Sequence, residues 1–219
     1  TNGEMKMRTI FTTVAVTCCL AHAASAETFS ADVWADNWFS FNVNGQQVAE
    51  DSVSITTERS FNAESFDFAA DRPFVIGLTA KDFKANNSGL EYIGTRKQQM
   101  GDGGVIVQVK DASGNVVTVS NADWRCLVTH TAPINKSCAK SRNPVAGQGD
   151  CAFETTSAPA GWDEAGFDDS EWANAFTYSE RDVRPKDGYD RINWDRNAEL
   201  IWGPDLEISN TVLCRIIVE

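Results

Sequence analysis

The chain has 219 residues, with 31 Asp and Glu against 19 Lys and Arg, for a formal net charge of −12 at pH 7. So acidic a surface repels phosphate backbones and anionic lipid heads, which sets nucleic acid and membrane surfaces aside as partners. The length fits one large β domain behind a leader better than two small domains.

The leader is the first element in chain order. Lys6 and Arg8 precede an apolar run from Ile10 to Leu20, and Ala24-Ser25-Ala26 supplies a small-x-small cleavage pattern. An apolar run of about eleven residues is too short to cross a bilayer core of about 30 Å as a helix. Residues 1–26 therefore read as a secretory signal peptide with upstream residues, and 27–219 as the mature domain, exported to a periplasm or the medium. Cleavage removes Lys6, Arg8 and Glu4, which leaves the mature chain one unit more negative.

Four cysteines remain after cleavage, Cys126, Cys138, Cys151 and Cys214. An even number in an exported protein points to disulfides, and four cysteines allow three pairings. Cys138 with Cys151 is the favoured closure, because the two bracket a loop rich in Lys, Ser, Asn, Pro and Gly. Cys126 would then staple the strand after Trp124 to the final strand through Cys214. Zinc is disfavoured, since there is no CxxC and His130 is the only mature histidine.

The mature sequence predicts short strands with turns between them. Trp38 to Val43 alternates, with Phe39, Phe41 and Val43 on one face and Trp38, Ser40 and Asn42 on the other, and Asn44-Gly45 follows as a turn. Strands are expected at Val53 to Thr57, Ser65 to Phe68 and Phe74 to Ala80. Val105, Val107 and Val109 alternate ahead of Asp111-Ala112-Ser113-Gly114-Asn115, and Val116 to Val119 returns, which makes a hairpin. Pro133 to Pro159 is a long loop within one domain. Leu200 to Trp202 and Thr211 to Val218 close the chain. No stretch of useful length has a helical period, so the fold class is all-β, a sandwich.

Four phrases occur in order over most of residues 33–218. The first is Ala35-Asp36-Asn37 with its aromatic strand and Asn44-Gly45. The second is Gly103 to Val109, leading to Ala122-Asp123-Trp124-Arg125. The third is Gly161-Trp162 with Phe167-Asp168-Asp169-Ser170-Glu171-Trp172-Ala173. The last is Leu200-Ile201-Trp202 with Leu213-Cys214-Arg215. Together they resemble the galactose-binding-domain-like modules appended to bacterial glycosidases. The resemblance implies a jelly-roll β-sandwich that binds carbohydrate, with Trp124, Trp162 and Trp172 in structural positions.

A sugar site needs an exposed ring face and planar polar groups that read hydroxyls. Trp38 on the polar side of its strand, and Tyr189, Trp194 and Trp202, are the candidate stacking residues. Arg184, Asp187, Asp190, Arg191 and Asn193 are the candidate polar readers; the alternative is a solvated charged loop with local ion pairs. A loop platform of this kind would let Trp194→Ala weaken glycan affinity while sparing the fold. Asp168 and Asp169 read as turn residues. Asp102, beside Gly101, Gly103 and Gly104, reads as a turn or as part of a structural calcium site.

Catalytic patterns are missing from the sequence. His130 has no Gly-x-Ser-x-Gly elbow to serve, and there is no phosphate-binding glycine motif. The expected function is a secreted carbohydrate-binding module with no catalytic activity of its own. The alternatives are a structural or adhesive envelope domain that binds protein, and a glycan hydrolase using carboxylates gathered by the fold.

Overall fold

A computed structural model describes residues 26–57, 59–83 and 85–219; the leader read over residues 1–26 falls outside it except for Ala26. The described strands in chain order are β1 (Glu27–Asp36), β2 (Trp38–Val43), β3 (Gln46–Glu50), β4 (Phe61–Ala70), β5 (Phe74–Lys81), β6 (Leu90–Glu91), β7 (Gln99–Met100) and β8 (Gly104–Asp111). They continue with β9 (Val116–Val119), β10 (Arg125–Thr131), β11 (Glu154–Thr155), β12 (Ala173–Asn174), β13 (Phe176–Tyr178), β14 (Leu200–Trp202) and β15 (Ser209–Val218). One α-helical turn, α1 (Glu180–Val183), follows β13.

Two antiparallel sheets carry the fold. The first has the order β13-β14-β8-β1-β4 with β9 on β8; the second has the order β11-β10-β15-β5-β2-β3 with β12 on β10. Phe29, Val33 and Val107 of the first sheet and Phe39, Leu78 and Val212 of the second share one buried cluster, so the sheets pack face to face as a sandwich. Alternation along β2 sends Phe39, Phe41 and Val43 into that core, as its sequence pattern predicts. Asn44 and Gly45 both take positive φ, 48° and 79°, in the tight turn to β3. The Asp111 carboxylate accepts from the backbone amides of Ser113 and Asn115, 2.9 Å each, and so shapes the β8–β9 hairpin.

Two sequence expectations change. β1 is a ten-residue strand that the hydropathy pattern hides. Its core-facing Phe29, Ala31, Val33 and Ala35 include two small alanines, and Trp34 on the opposite face is just as buried. The strand expected at Val53 to Thr57 does not form. The Asp51 carboxylate takes the Val53 amide at 2.8 Å and the Ser60 hydroxyl takes the Thr56 and Thr57 amides, so side chains satisfy backbone groups that a strand would have offered to a neighbour.

The outer faces are covered as well. On the first sheet, Trp34 and Ile106 pack beneath the segment 180–199 with Val183, Tyr189 and Leu200. On the second, Leu213 packs with Trp162 and Trp172 of the segment 161–172, and Arg215 pairs there with Asp169. Gly77 lets that segment lie flat, because a Cβ added at residue 77 would collide with the Asp163 side chain. Cys126 and Cys214 stand opposite each other in the β10–β15 register and are disulfide-bonded. Cys138–Cys151 closes the long loop, which packs against Leu90 and Met100.

Candidate functional site

The corner between β1 and β2 brings two aspartates together. The Asn37 amide donates to the Lys81 carbonyl at 2.8 Å, the Phe83 amide donates to the Asn37 side-chain oxygen at 2.6 Å, and the Asp82 amide donates to the Asn210 carbonyl at 2.9 Å. These bonds tie the end of β5 to the end of β1 and to the start of β15. Asp36 is 0% exposed and Asp82 2% exposed. Among the described residues, neither Asp36 carboxylate oxygen has a hydrogen bond, and Asp82 Oδ1 has none. The Lys186 ammonium stands 3.7 Å from Asp36 Oδ2 and 4.0 Å from Asp102 Oδ1, and 4.5 Å over the Phe61 ring.

Burial sets the acidity of this cluster. Desolvation raises Asp36 well above the ordinary carboxylate range, the Asp102 charge raises it further, and Lys186 opposes the rise. Asp82 is raised in the same way, by burial first and then by Asp36. Burial also raises Asp102 against the pull of Lys186 and Arg184. Glu91, also buried, accepts from the Gln99 side-chain amide at 2.6 Å.

Three clefts open over this cluster. One, of about 730 Å³, is lined by Gln99, Asp102, Tyr178, Arg181, Arg184 and Glu207 among others. A second, of about 590 Å³, is lined by Arg59, Phe61, Tyr92, Arg96, Lys97 and Lys186 among others, and it shares Gln99 with the first. The third, of about 610 Å³, adds Asp187, Asp190 and Arg191 and shares Arg59, Phe61 and Lys186 with the second. The clefts therefore form one band. Ser179 builds part of its wall: its hydroxyl accepts the Asp182 amide and starts α1, and Arg184 ends the turn in the left-handed region at φ 54°.

The structure divides the residues expected at a sugar platform. Arg184, Asp187, Asp190 and Arg191 line the clefts. Tyr189 is buried, with its ring edge-on to Trp34 at 5.6 Å and its hydroxyl donating to Glu180 at 3.0 Å. Trp194 is half-buried, tilted against Tyr189 at 5.7 Å, and its indole N–H donates to the Tyr189 carbonyl at 3.1 Å. Asn193 docks the segment through its backbone, as its carbonyl accepts from Gln108. Trp202 is fully buried in the core and donates to the Ser209 carbonyl, so it offers no ring face to a ligand. Trp38 lies on the second sheet under the Lys81 ammonium at 4.6 Å and lines none of the three clefts.

The placement of these rings has a physical cause. The outer face of the first sheet presents Trp34 and Ile106, and the rings of Tyr189 and Trp194 cover them, which removes apolar surface from water. Asp168 and Asp169 are turn and packing residues: Asp168 accepts the Ser170 amide at 3.0 Å, and Asp169 pairs with the buried Arg215. Among the described residues, no three His, Cys, Asp or Glu side chains are placed together to hold a metal ion.

The sequence reading missed Asp82, Glu91 and Lys186, and it assigned no site role to Asp36, Arg59, Arg96 or Lys97. Asp36 lies in the outward phase of β1, where an aspartate attracts no notice. Arg96-Lys97, close behind Tyr92 in so acidic a chain, is a signal that could have been found. Fold and clefts together define an all-β sandwich with a polar, charge-lined band over a buried acidic cluster. Comparison with family models, with curated proteins and with solved structures finds no match.

Proposed function

We propose that this chain is an exported carbohydrate-binding module of the galactose-binding-like, jelly-roll kind, and that its glycan lies along the band of clefts. The observation that carries the reading is the composition of that band. Guanidiniums of Arg59, Arg181 and Arg184, the Asp102 carboxylate and the Gln99 amide offer planar, paired contacts to hydroxyls, and Tyr92 and Tyr178 supply ring surface between them. The disulfides Cys126–Cys214 and Cys138–Cys151 support export, as does the leader pattern from Lys6 to Ala26.

A glycan array probed with oxidised residues 27–219, followed by titration of the best hit, tests this reading. Arg184→Ala should weaken that hit about tenfold, the loss of one charge-assisted contact. Silence across the array would sink it. A glycan hydrolase is the second reading, favoured by two carboxyls with raised proton affinity, Asp36 and Asp102, facing one lysine. The full burial of Asp36 ranks it behind binding, and release of reducing ends from any glycan tried would reverse that order.

A further inference from the structure

We propose that the part of the band around Arg59, Arg96, Lys97 and Lys186 selects acidic residues of a polysaccharide, recognising uronate carboxylates or sulfate esters. This deepens the carbohydrate-binding reading and rests on it. The chain carries 31 acidic and 19 basic residues, yet four of those basic side chains line one cleft of about 590 Å³. The acidic residue lining the same cleft is Glu91, which is buried and already accepts the Gln99 amide. The local charge is therefore opposite to that of the whole molecule.

Lys186 faces Asp36 and Asp102, whereas the other three cations are displayed. Arg59 and Arg96 are exposed and form no ion pair among the described residues; Lys97 reaches over the Tyr92 ring at 6.0 Å. The loop that holds them is built. Tyr92 takes φ 48°, a left-handed conformation uncommon outside glycine, its carbonyl accepts the Thr95 hydroxyl at 2.7 Å, and the Gln98 side-chain oxygen accepts the Gly94 amide at 2.8 Å. The Gln98 side-chain nitrogen donates to the Ala139 and Ser141 carbonyls, 2.9 Å each, which anchors the loop to the segment closed by Cys138–Cys151.

The chemistry follows from this placement. Two guanidiniums take paired acidic oxygens, while the half-buried Tyr92 offers its ring to the C–H side of a sugar. The acidic remainder of the surface does not forbid such a ligand, because at 0.15 M ionic strength its field is screened beyond about 8 Å whereas the four cations act at contact.

Calorimetric titration of the mature, oxidised chain tests the proposal with polygalacturonate as the carboxylate arm, a sulfated galactan as the sulfate arm, a neutral galactan, and single-stranded DNA. At least one acidic glycan should bind, more tightly at lower salt, and Arg59→Ala and Arg96→Ala should each weaken it about tenfold with unchanged melting temperatures. Neutral galactan bound as tightly as the acidic glycans, or no effect of either variant, would overturn acidic selection and leave carbohydrate binding standing. No binding in any glycan arm would overturn both. DNA bound as tightly as the acidic glycan would overturn the proposal in favour of a general polyanion site.

Discussion

Asp36 is buried with both carboxylate oxygens lacking hydrogen bonds among the described residues, and Lys186 lies too far for a hydrogen bond at 3.7 Å. Ionising it in the folded protein is costly, so the folded state holds its proton to higher pH than the unfolded chain does. Asp82 is shifted the same way, and burial raises Asp51 to about 6 against the lowering effect of the Val53 amide. Between the ordinary carboxylate value and these raised values the folded state binds more protons, and stability falls as pH rises through that window. Asp111, Asp168 and Asp182 are shifted down by hydrogen bonds and act oppositely, losing their contribution as pH falls below the ordinary value. The melting temperature should therefore peak at about the ordinary carboxylate value, near pH 4, where the two windows meet. Asp36→Asn should raise the melting temperature at pH 8 and leave it nearly unchanged at pH 4. A variant that melts below the parent at pH 8 would show that the Lys186 pair outweighs desolvation.

Trp172 is buried and stacks on Trp162 at 6.1 Å, so Trp172→Ala should cost about 3–5 kcal/mol. Trp194 was legible as an aromatic in a charged stretch, Asp190 to Arg196, but nothing in that stretch reveals the sheet face it covers. Because it packs on Tyr189 and donates to the Tyr189 carbonyl, Trp194→Ala should cost about 2–3 kcal/mol, less than a fully buried aromatic. Denaturant titration of both variants measures the two losses.

At the scale of elements, alternation was legible wherever one face meets the core and the other meets water. β2, β5, β14, β15 and the β8–β9 hairpin fall within a residue or two of their sequence patterns. β1 was not legible, because a sandwich with both outer faces covered buries Trp34 on the side where a polar residue would mark a strand. The clefts were half legible for a related reason. Arg184, Asp187, Asp190 and Arg191 lie on one segment of chain, whereas Arg59, Tyr92 and Arg96 reach the same band from other loops, and sequence spacing does not report that meeting. Cys138–Cys151 links loop to cleft, since Gln98 bonds to carbonyls beside the disulfide. Replacing both cysteines by serine should cost about 3 kcal/mol in loop-closure entropy. It should also speed amide hydrogen exchange across residues 92–98 more than across β5. Equal exchange in the two segments would show that the loop holds without its anchor.

At the scale of the whole molecule, the buried acids and the clefts are one electrostatic unit assembled from distant parts of the chain. Asp36 comes from the first sheet, Asp82 follows β5 of the second, Asp102 precedes β8, and Lys186 belongs to the segment that covers the first sheet. Lys186 faces two ways, lowering the proton affinity of Asp36, Asp82 and Asp102 while lining two clefts. Arg184 also lowers Asp102, and Glu91 raises Asp36 and Asp82. An acidic glycan that engages Lys186 adds negative charge beside these carboxyls and competes for their counter-ion, so their proton affinity should climb further on binding. Linkage makes the effect reciprocal: protonating the cluster frees Lys186 and tightens the glycan. Binding should therefore take up protons, and affinity should rise as pH falls through the raised range of these carboxyls, with the opposing loss of ligand charge small because uronates and sulfates ionise at or below the ordinary carboxylate value. Titrations in buffers of different ionisation enthalpy read the proton uptake directly, and Asp36→Asn should reduce it. Zero uptake together with pH-independent affinity would mean that the glycan does not reach Lys186.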